Sequence, residues 1–417
     1  MATGTFCCGG GCGVTAANTL LGGRRHWDTT SGSGVAPTTV ATPFWWAPGG
    51  PQCYQFAETG SGFFFERNFD ASPTGAVLRF AIGLTGGAYP SSTTDLVTVR
   101  VSGLLDVIVR FNLSDKTLRV HHGGAPEAVG PVMQLDTRYA VDLSVDVSNN
   151  PNVVQWRVNG AAQTTVQLAQ AASTLTVFRY GVQSSVSITV NMGDLFVTQT
   201  LGDYPIGDGK VQAYFASGDG THVYSAGTDF KYNNATPVPT PSSVLTDSYA
   251  YIDDGGINNI NDFMACSGAS NTEYLEWFCQ APNAGELAPL GVEVVSGHHA
   301  SGGGGNKMTL RLNDGGTLVD VWTDIDVSSS TLISISKHFA TAPSGGAWTL
   351  AKVAGLRVRF NSSYGTPQEG NVPFIDALAF EVAFPPTPPG GFTGDFSASE
   401  IPLIIQPVAH FVSVWGG

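Results

Sequence analysis

Charged side chains make up only 12 % of this 417-residue chain, about half the usual share. Lys and Arg number 19 against 33 Asp and Glu, for a formal charge of −14. Such a balance repels phosphate and disfavours nucleic acid as a partner. No basic cluster exceeds Arg24-Arg25, which removes a local basic patch as well. The helix formers Lys, Glu and Leu are sparse, which argues against a helical architecture. No apolar run approaches the roughly 20 residues that cross a bilayer. The longest are strand-sized and broken by Asp, Arg or Ser, which argues against membrane insertion. The N-terminal MATGTFCCGGGCGV has neither a positive n-region nor a sustained apolar core, so it reads as no secretion signal, and Met1 reads as a native start.

Gly, Ser, Thr and Val are abundant instead, the mix of short strands joined by tight turns. The segment YAVDLSVDVSNNPNVVQWRVNG, residues 139–160, shows the pattern most plainly. Tyr139, Val141, Leu143, Val145 and Val147 alternate with Ala140, Asp142, Ser144 and Asp146, which predicts a strand with one face in a core and one in water. Asn149-Asn150-Pro151 makes a turn, Val154, Trp156 and Val158 resume the alternation, and Asn159-Gly160 is a two-residue hairpin signal.

Residues 1–24 form a Gly/Cys-rich arm without periodic pattern. Strand candidates at intervals of about ten residues then predict a sandwich over 25–232. Residues 233–246 carry alternating prolines and read as a stiff linker. A second sandwich is expected over 247–384, with a helix near Asn271–Cys279. Residues 385–417 comprise a proline-rich stop and an apolar C-terminal arm. The fold class expected is therefore all-β, two antiparallel sandwiches joined by a Pro-rich linker with extended arms at both ends. Leu403, Ile404, Ile405, Phe411 and Trp415 need a covering surface, either their own domain or a neighbouring subunit, and the neighbour is preferred.

Several clusters invite chemistry. A retaining glycosidase needs two carboxylates about 5 Å apart, which on one strand face means alternating acids. Asp142/Asp146 has no acid between, and Glu293 stands alone, so both are read as solvent-facing. Cys7, Cys8 and Cys12, with His26, are candidate zinc ligands, but the spacing satisfies only part of a zinc pattern. Reduced thiols in the arm are the preferred reading over metal or intersubunit disulfides. Cys266 and Cys279 lie near enough in sequence to pair, and Cys53 has no obvious mate. His121-His122 and His298-His299 read as solvated loop histidines. Trp45-Trp46 stacks on a sugar ring in one reading and packs beneath a loop in the other.

Residues 139–160, Phe178–Gly181, VNMGDLF over 190–196, DYPIGDGK over 203–210 and GDGTH over 218–222 resemble the laminin-G/concanavalin A-like sandwich, of jelly-roll type, found in tailed-bacteriophage virion proteins. Gly345-Gly346-Ala347-Trp348-Thr349, Leu356–Ser363 and Ile375–Phe384 are similar to a module that often follows it in minor tail proteins. The resemblance covers most of residues 60–384, with structural rather than catalytic motifs. It implies a non-enzymatic component of a tail or decorated head, made in the host cytoplasm and resident in the virion. Its partners would be other virion proteins and further copies of itself, held through the terminal arms. The alternative is an adhesin for host-surface glycans. It further implies calcium at Asp203, Asp208 and Asp219, against which Asp-Gly turn chemistry is the preferred reading; no other cofactor is expected.

Overall fold

Strands Tyr139–Asp146 and Asn152–Val158 pair antiparallel, with Val141 opposite Val158 and Val145 opposite Val154. Asn159 and Gly160 make the following turn at φ 49° and 77°, the left-handed region that Asn and Gly tolerate best. Trp156 is buried and donates its indole N–H to the Thr164 carbonyl at 3.0 Å.

The computed structural model describes residues 6–8, 27, 29–40, 53–69, 71–103, 106–223, 229–232, 236–237, 248–253, 264–267, 273–300, 307–326, 333–362 and 373–386. Within them the chain is nearly all β, with one short helix at Leu350–Gly355, and antiparallel sheets stack as a sandwich. A nine-stranded sheet is built around Asn152–Val158, Tyr139–Asp146, Gly75–Thr85, Ser187–Thr198 and Cys53–Thr59. A seven-stranded sheet runs in the order Ala128–Val132, Thr117–His122, Val107–Asn112, Thr94–Val101, Leu175–Gly181, Phe64–Asn68 and Thr29–Ser31. Between them lies one apolar core, in which Trp27 stacks on Phe65 at 4.8 Å and on Tyr180 at 6.0 Å.

A third sheet of eleven strands follows. Its central strand, Pro373–Phe384, pairs with Gly291–Ala300 on one side and with Lys210–Asp219 and Met264–Ser267 on the other. Met264–Ser267 also touches Arg357–Ser362, which pairs with Leu275–Cys279, which pairs with Lys210–Asp219. These pairings close a ring around a second core containing Trp277, Leu310, Trp348 and Phe360. The other face of this sheet adds Val295, Ala377 and Ala379 to the sandwich core.

Three local expectations are corrected. The segment expected as a helix near Asn271–Cys279 contains the strand Leu275–Cys279, because Leu275, Trp277 and Cys279 bury with period two. The strands expected at 185–190 and 193–199 are one, Ser187–Thr198, with a register shift between Gly193 and Phe196. Lys210–Asp219 lies in the third sheet, so that sheet begins before residue 232. Thr236-Pro237 pairs with Lys231-Tyr232; the rest of 233–246, and the arm beyond Pro386, lie outside the described residues.

The largest departure concerns the face of Tyr139–Asp146 expected in water. Asp142 and Ser144 are only 4 % and 6 % exposed. Asp142 accepts the Gly207 N–H at 3.1 Å, and burial raises its carboxyl pKa against that bond. On the next strand buried Arg79 donates to the Phe384 carbonyl at 3.0 Å and to the Asp194 carbonyl at 3.4 Å. Asp194 in turn accepts the Val211 N–H at 2.9 Å and Arg138 at 3.0 Å, and Arg138 also reaches Asp208 at 2.7 Å. A Cβ on Gly209 would lie 2.1 Å from the Phe384 oxygen. This junction ties the sandwich to the third sheet.

Removing a partner from a buried ion pair costs about 3–5 kcal/mol, because the other charge stays buried. Asp194→Ala should therefore lower stability in a urea titration by about that amount, with Asp194→Asn intermediate. A loss indistinguishable from that of an exposed-site variant would show that the junction does not hold the sheets together.

Candidate functional site

The two sheets of the sandwich differ in what their outer faces meet. The seven-stranded sheet carries a row of charged side chains there, set by register: Asp95 opposite Arg110, and Arg110 opposite Arg119. Two arginines facing each other repel, and Glu127 separates them, bonding Arg110 at 3.0 Å and Arg119 at 2.7 Å. Asp95 holds Arg110 from the other side at 2.8 Å, and Asp115 holds Arg119. Hydrogen bonding from Arg119, with the nearby Arg110 charge, keeps the Glu127 carboxyl below its usual range. All four side chains of this row remain about 20–28 % exposed, and Val129 and Val132 beside them are half exposed.

The three candidate calcium ligands occupy separate settings. Asp203 ends the short turn Leu201–Asp203 and accepts the Thr198 hydroxyl at 2.7 Å, at the edge of an apolar cavity of about 400 Å³ with Phe196, Ile206 and Leu290. Asp208 pairs with Arg138. Asp219 ends the ten-residue strand Lys210–Asp219, which at about 3.3 Å per residue puts it roughly 30 Å or more from Asp208. Asp208 and Asp219 are therefore not brought to one ion, and among the described residues no group of three His, Cys, Asp or Glu side chains converges. Cys7 and Cys8 lie on a strand paired with Leu195–Val197. Cys12, His26, Trp45, Trp46, Leu403, Ile404, Ile405, Phe411 and Trp415 lie outside the described residues. Cys279 is a buried thiol whose pKa burial pushes up.

Asp219 belongs to a cluster that sequence reasoning missed. Ser248 donates its hydroxyl to Asp219 at 2.6 Å and its backbone N–H at 2.9 Å, and the Tyr249 N–H adds a third bond. His222 Nε2 is 3.1 Å from the Ser248 Oγ, and the Trp277 indole N–H donates to that oxygen at 2.8 Å. The residue types are those of a serine hydrolase, but the proton positions differ. His222 Nδ1 accepts the Glu276 N–H at 3.1 Å, so the neutral ring carries its proton on Nε2 and donates toward the serine. The Ser248 proton already rests on a carboxylate. Burial raises the Asp219 carboxyl, yet hydrogen bonds from His222 and Ser248 outweigh it and leave the pKa below its usual value. The cluster clamps the turn Ser248–Tyr251 to the end of a strand. Ser248→Ala should cost about 1–3 kcal/mol by orphaning the Trp277 N–H, and a fluorophosphonate probe should leave Ser248 unlabelled; labelling would show an activated nucleophile.

The expectation that Glu293 faces solvent is overturned. It is fully buried, and the register places it opposite both Glu381 and His338. Its two oxygens lie 3.3 Å from His338 Nδ1 and 3.8 Å from Arg67. Directly opposed residues have Cβ atoms about 5 Å apart, so two carboxyls adjoin here that are 88 residues apart in sequence, and no local motif could reveal them.

The histidines are likewise not solvated loops. His122 and His298 are fully buried on strands, and His299 meets Asp376 at 2.6 Å. His298 donates from Nδ1 to the Phe374 carbonyl and accepts the Ser296 hydroxyl at Nε2. Burial lowers its pKa from 6.5 to about 3. Between those values the unfolded chain binds the extra proton, so stability must fall as pH drops through that window, by up to about 1.4 kcal/mol per pH unit. His298→Gln should flatten the acid limb of a melting-temperature profile; an unchanged slope would assign the acid sensitivity elsewhere.

No family model matches the chain, and no curated protein matches it. Among solved structures it aligns with Trypanosoma rangeli sialidase at 16 % identity and a TM-score of 0.32, over 48 % of this chain and 30 % of that one. The chain thus spans less than a third of the sialidase chains it matches. It also aligns with the carbohydrate esterase vb_24B_21 from the Shiga toxin-encoding bacteriophage phi24B, at 13 % identity and 0.31, over 40 % and 89 %. A third match is alginate lyase AlgAT5 of polysaccharide lyase family 7, at 14 % and 0.27, over 35 % and 77 %. All three are carbohydrate-active enzymes. The sequence-based expectation that the chain is not an enzyme is corrected on its own ground: it rested on the absence of neighbouring carboxylates, and the buried Glu293 and Glu381 adjoin.

Proposed function

We propose that this protein is a component of a tailed-phage particle that displays its sandwich outward and engages carbohydrate through the outer face of the seven-stranded sheet. The observation that carries this reading is the asymmetry of the sandwich. The polar outer residues Arg79, Asp142, Asn191 and Asp194 of the nine-stranded sheet are buried, whereas Asp95, Arg110, Arg119 and Glu127 stay open to solvent in a row. Guanidinium and carboxylate groups offer paired donors and acceptors that suit neighbouring sugar hydroxyls. Because these groups already brace one another, a ligand would not have to order them on binding. The particle setting is supported by the sequence resemblance over residues 60–384. The apolar positions Leu403, Ile404, Ile405, Phe411 and Trp415 support association with copies of itself or with other virion proteins.

The test is a glycan array of bacterial surface polysaccharides probed with the intact chain and with an Arg119→Ala/Glu127→Ala variant. Binding to a subset, weakened at least tenfold in the variant at unchanged melting temperature, is the expected result. No binding, or equal binding by both, would sink the sheet-face reading. Mass photometry of the chain cut after Pro386 tests the assembly arm, with loss of the oligomer expected.

A further inference from the structure

At one end of the sandwich, where Cys53–Thr59, Gly75–Thr85 and Ser187–Thr198 give way to loops, lies a cavity of about 250 Å³. Glu58 lines it together with the hydroxyl residues Thr85, Tyr89, Ser91, Ser187 and Thr189. Glu58 sits opposite Ile188, and its strand parity with Tyr54 and Phe56 directs it toward the core side, where an apolar residue would serve packing better. It is only 3 % exposed. One carboxylate oxygen, Oε2, accepts the Val35 N–H at 3.2 Å. The other, Oε1, is shut off from solvent and has no hydrogen-bond partner. Burial raises the Glu58 pKa, partly offset by the Val35 bond.

Two of the hydroxyls around it, those of Thr85 and Tyr89, have their protons committed elsewhere. Thr85 donates to Asp136 at 2.9 Å and Tyr89 to the Met133 carbonyl at 3.0 Å. Toward the cavity these two groups offer lone pairs alone, beside an orphaned carboxylate, and no Lys, Arg or His lines the space. Lys116 lies over the Tyr89 ring at 4.4 Å, and Phe111 stacks with it at 5.9 Å, so the ring is not available for stacking a sugar. The lining is acceptor-rich and negative, and it calls for a donor-rich cationic group. The volume is below the roughly 300–1,000 Å³ of drug-sized pockets and suits a single small ring.

We propose that this rim cavity binds a protonated primary amine on a monosaccharide-sized ligand, an amino sugar, whose ammonium donates to Glu58 Oε1 and to the Thr85 and Tyr89 oxygens. The proposal rests on the carbohydrate reading only for the scaffold that bears the amine. Gly34 lies against the Glu58 carboxyl so closely that a Cβ there would come within 2.2 Å of it. The strap Gly32-Ser33-Gly34, exposed at Gly32 and Ser33 and half-buried at Gly34, is therefore what a ligand displaces to reach Oε1.

Isothermal titration of the full chain with glucosamine, glucose, N-acetylglucosamine and calcium chloride tests it. Glucosamine should bind at least tenfold more tightly than the two neutral sugars, and binding should weaken on acidification as Glu58 takes a proton. Glu58→Gln should lose at least tenfold in affinity with no fall in melting temperature at pH 7, since an ionised Glu58 with a raised pKa is a destabilising group in the unliganded fold. Should Glu58→Gln misfold, Ala88→Trp at the exposed cavity wall blocks the site without touching the carboxyl and should abolish binding. Equal affinity for glucose and glucosamine would overturn the ammonium site while leaving the carbohydrate reading intact. Calcium binding in place of glucosamine would make it a metal site and overturn the proposal. Failure of every probe, with a positive glycan array, would remove this cavity and leave the sheet face.

Discussion

The Asp194 carboxylate is the constraint on which the arrangement of the sheets depends. Its two oxygens serve a guanidinium from the sandwich and the Val211 amide of the strand that enters the third sheet. Its own backbone stands at φ 54°, a conformation Asp tolerates better than most residues. Arg79, through the Asp194 and Phe384 carbonyls, adds a link between residues 305 apart in sequence. Because both arginines are buried or nearly so, each bond excludes water and gains strength from the low local dielectric. The same burial makes each partner costly to lose. Polar residues that would normally face solvent thus act as a fastening between two bodies of β-structure.

The polar clusters follow a common logic. In the Asp219–Ser248–His222 cluster and around His298 the donors and acceptors match, so residues with catalytic chemistry are held in unreactive protonation states. A hydroxyl whose proton already rests on a carboxylate is no nucleophile, whatever stands beside it. Glu58 is different because one of its oxygens has no match. The contrast separates side chains that complete the fold from one whose partner is missing from it.

The sheets were legible in the sequence wherever one strand's pattern is self-contained. Tyr139–Asp146, its hairpin turn at Asn159-Gly160 and most strands of the sandwich follow from period two and turn chemistry. What the pattern could not convey is which polar face becomes covered. Asp142 and Ser144 alternate like solvent-facing residues, and only the return of the chain at Gly207 buries them. Glu293 read as isolated because its partners Glu381 and His338 arrive from distant strands. The Asp-x-x-His spacing of Asp219 and His222 was a local signal within reach, but Ser248 was not. Of the aspartates that the resemblance implied for calcium, Asp208 and Asp219 are close in sequence but separated in space, since an extended strand carries Asp219 away from Asp208.

The position of Pro373–Phe384 has a consequence for how the chain comes into being on the ribosome. Every sandwich strand lies before residue 199, so the sandwich core can close, lacking the contributions of Ala213, Phe215, Val295, Ala377 and Ala379, while the rest is still being made. The third sheet cannot do the same. Its first strand, Lys210–Asp219, emerges more than 150 residues before the strand that pairs along its opening half. Until then its edge groups wait without their native partner, the circumstance in which strands find wrong ones. Vectorial synthesis therefore divides the molecule into a part that matures early and a part that must be kept open until late.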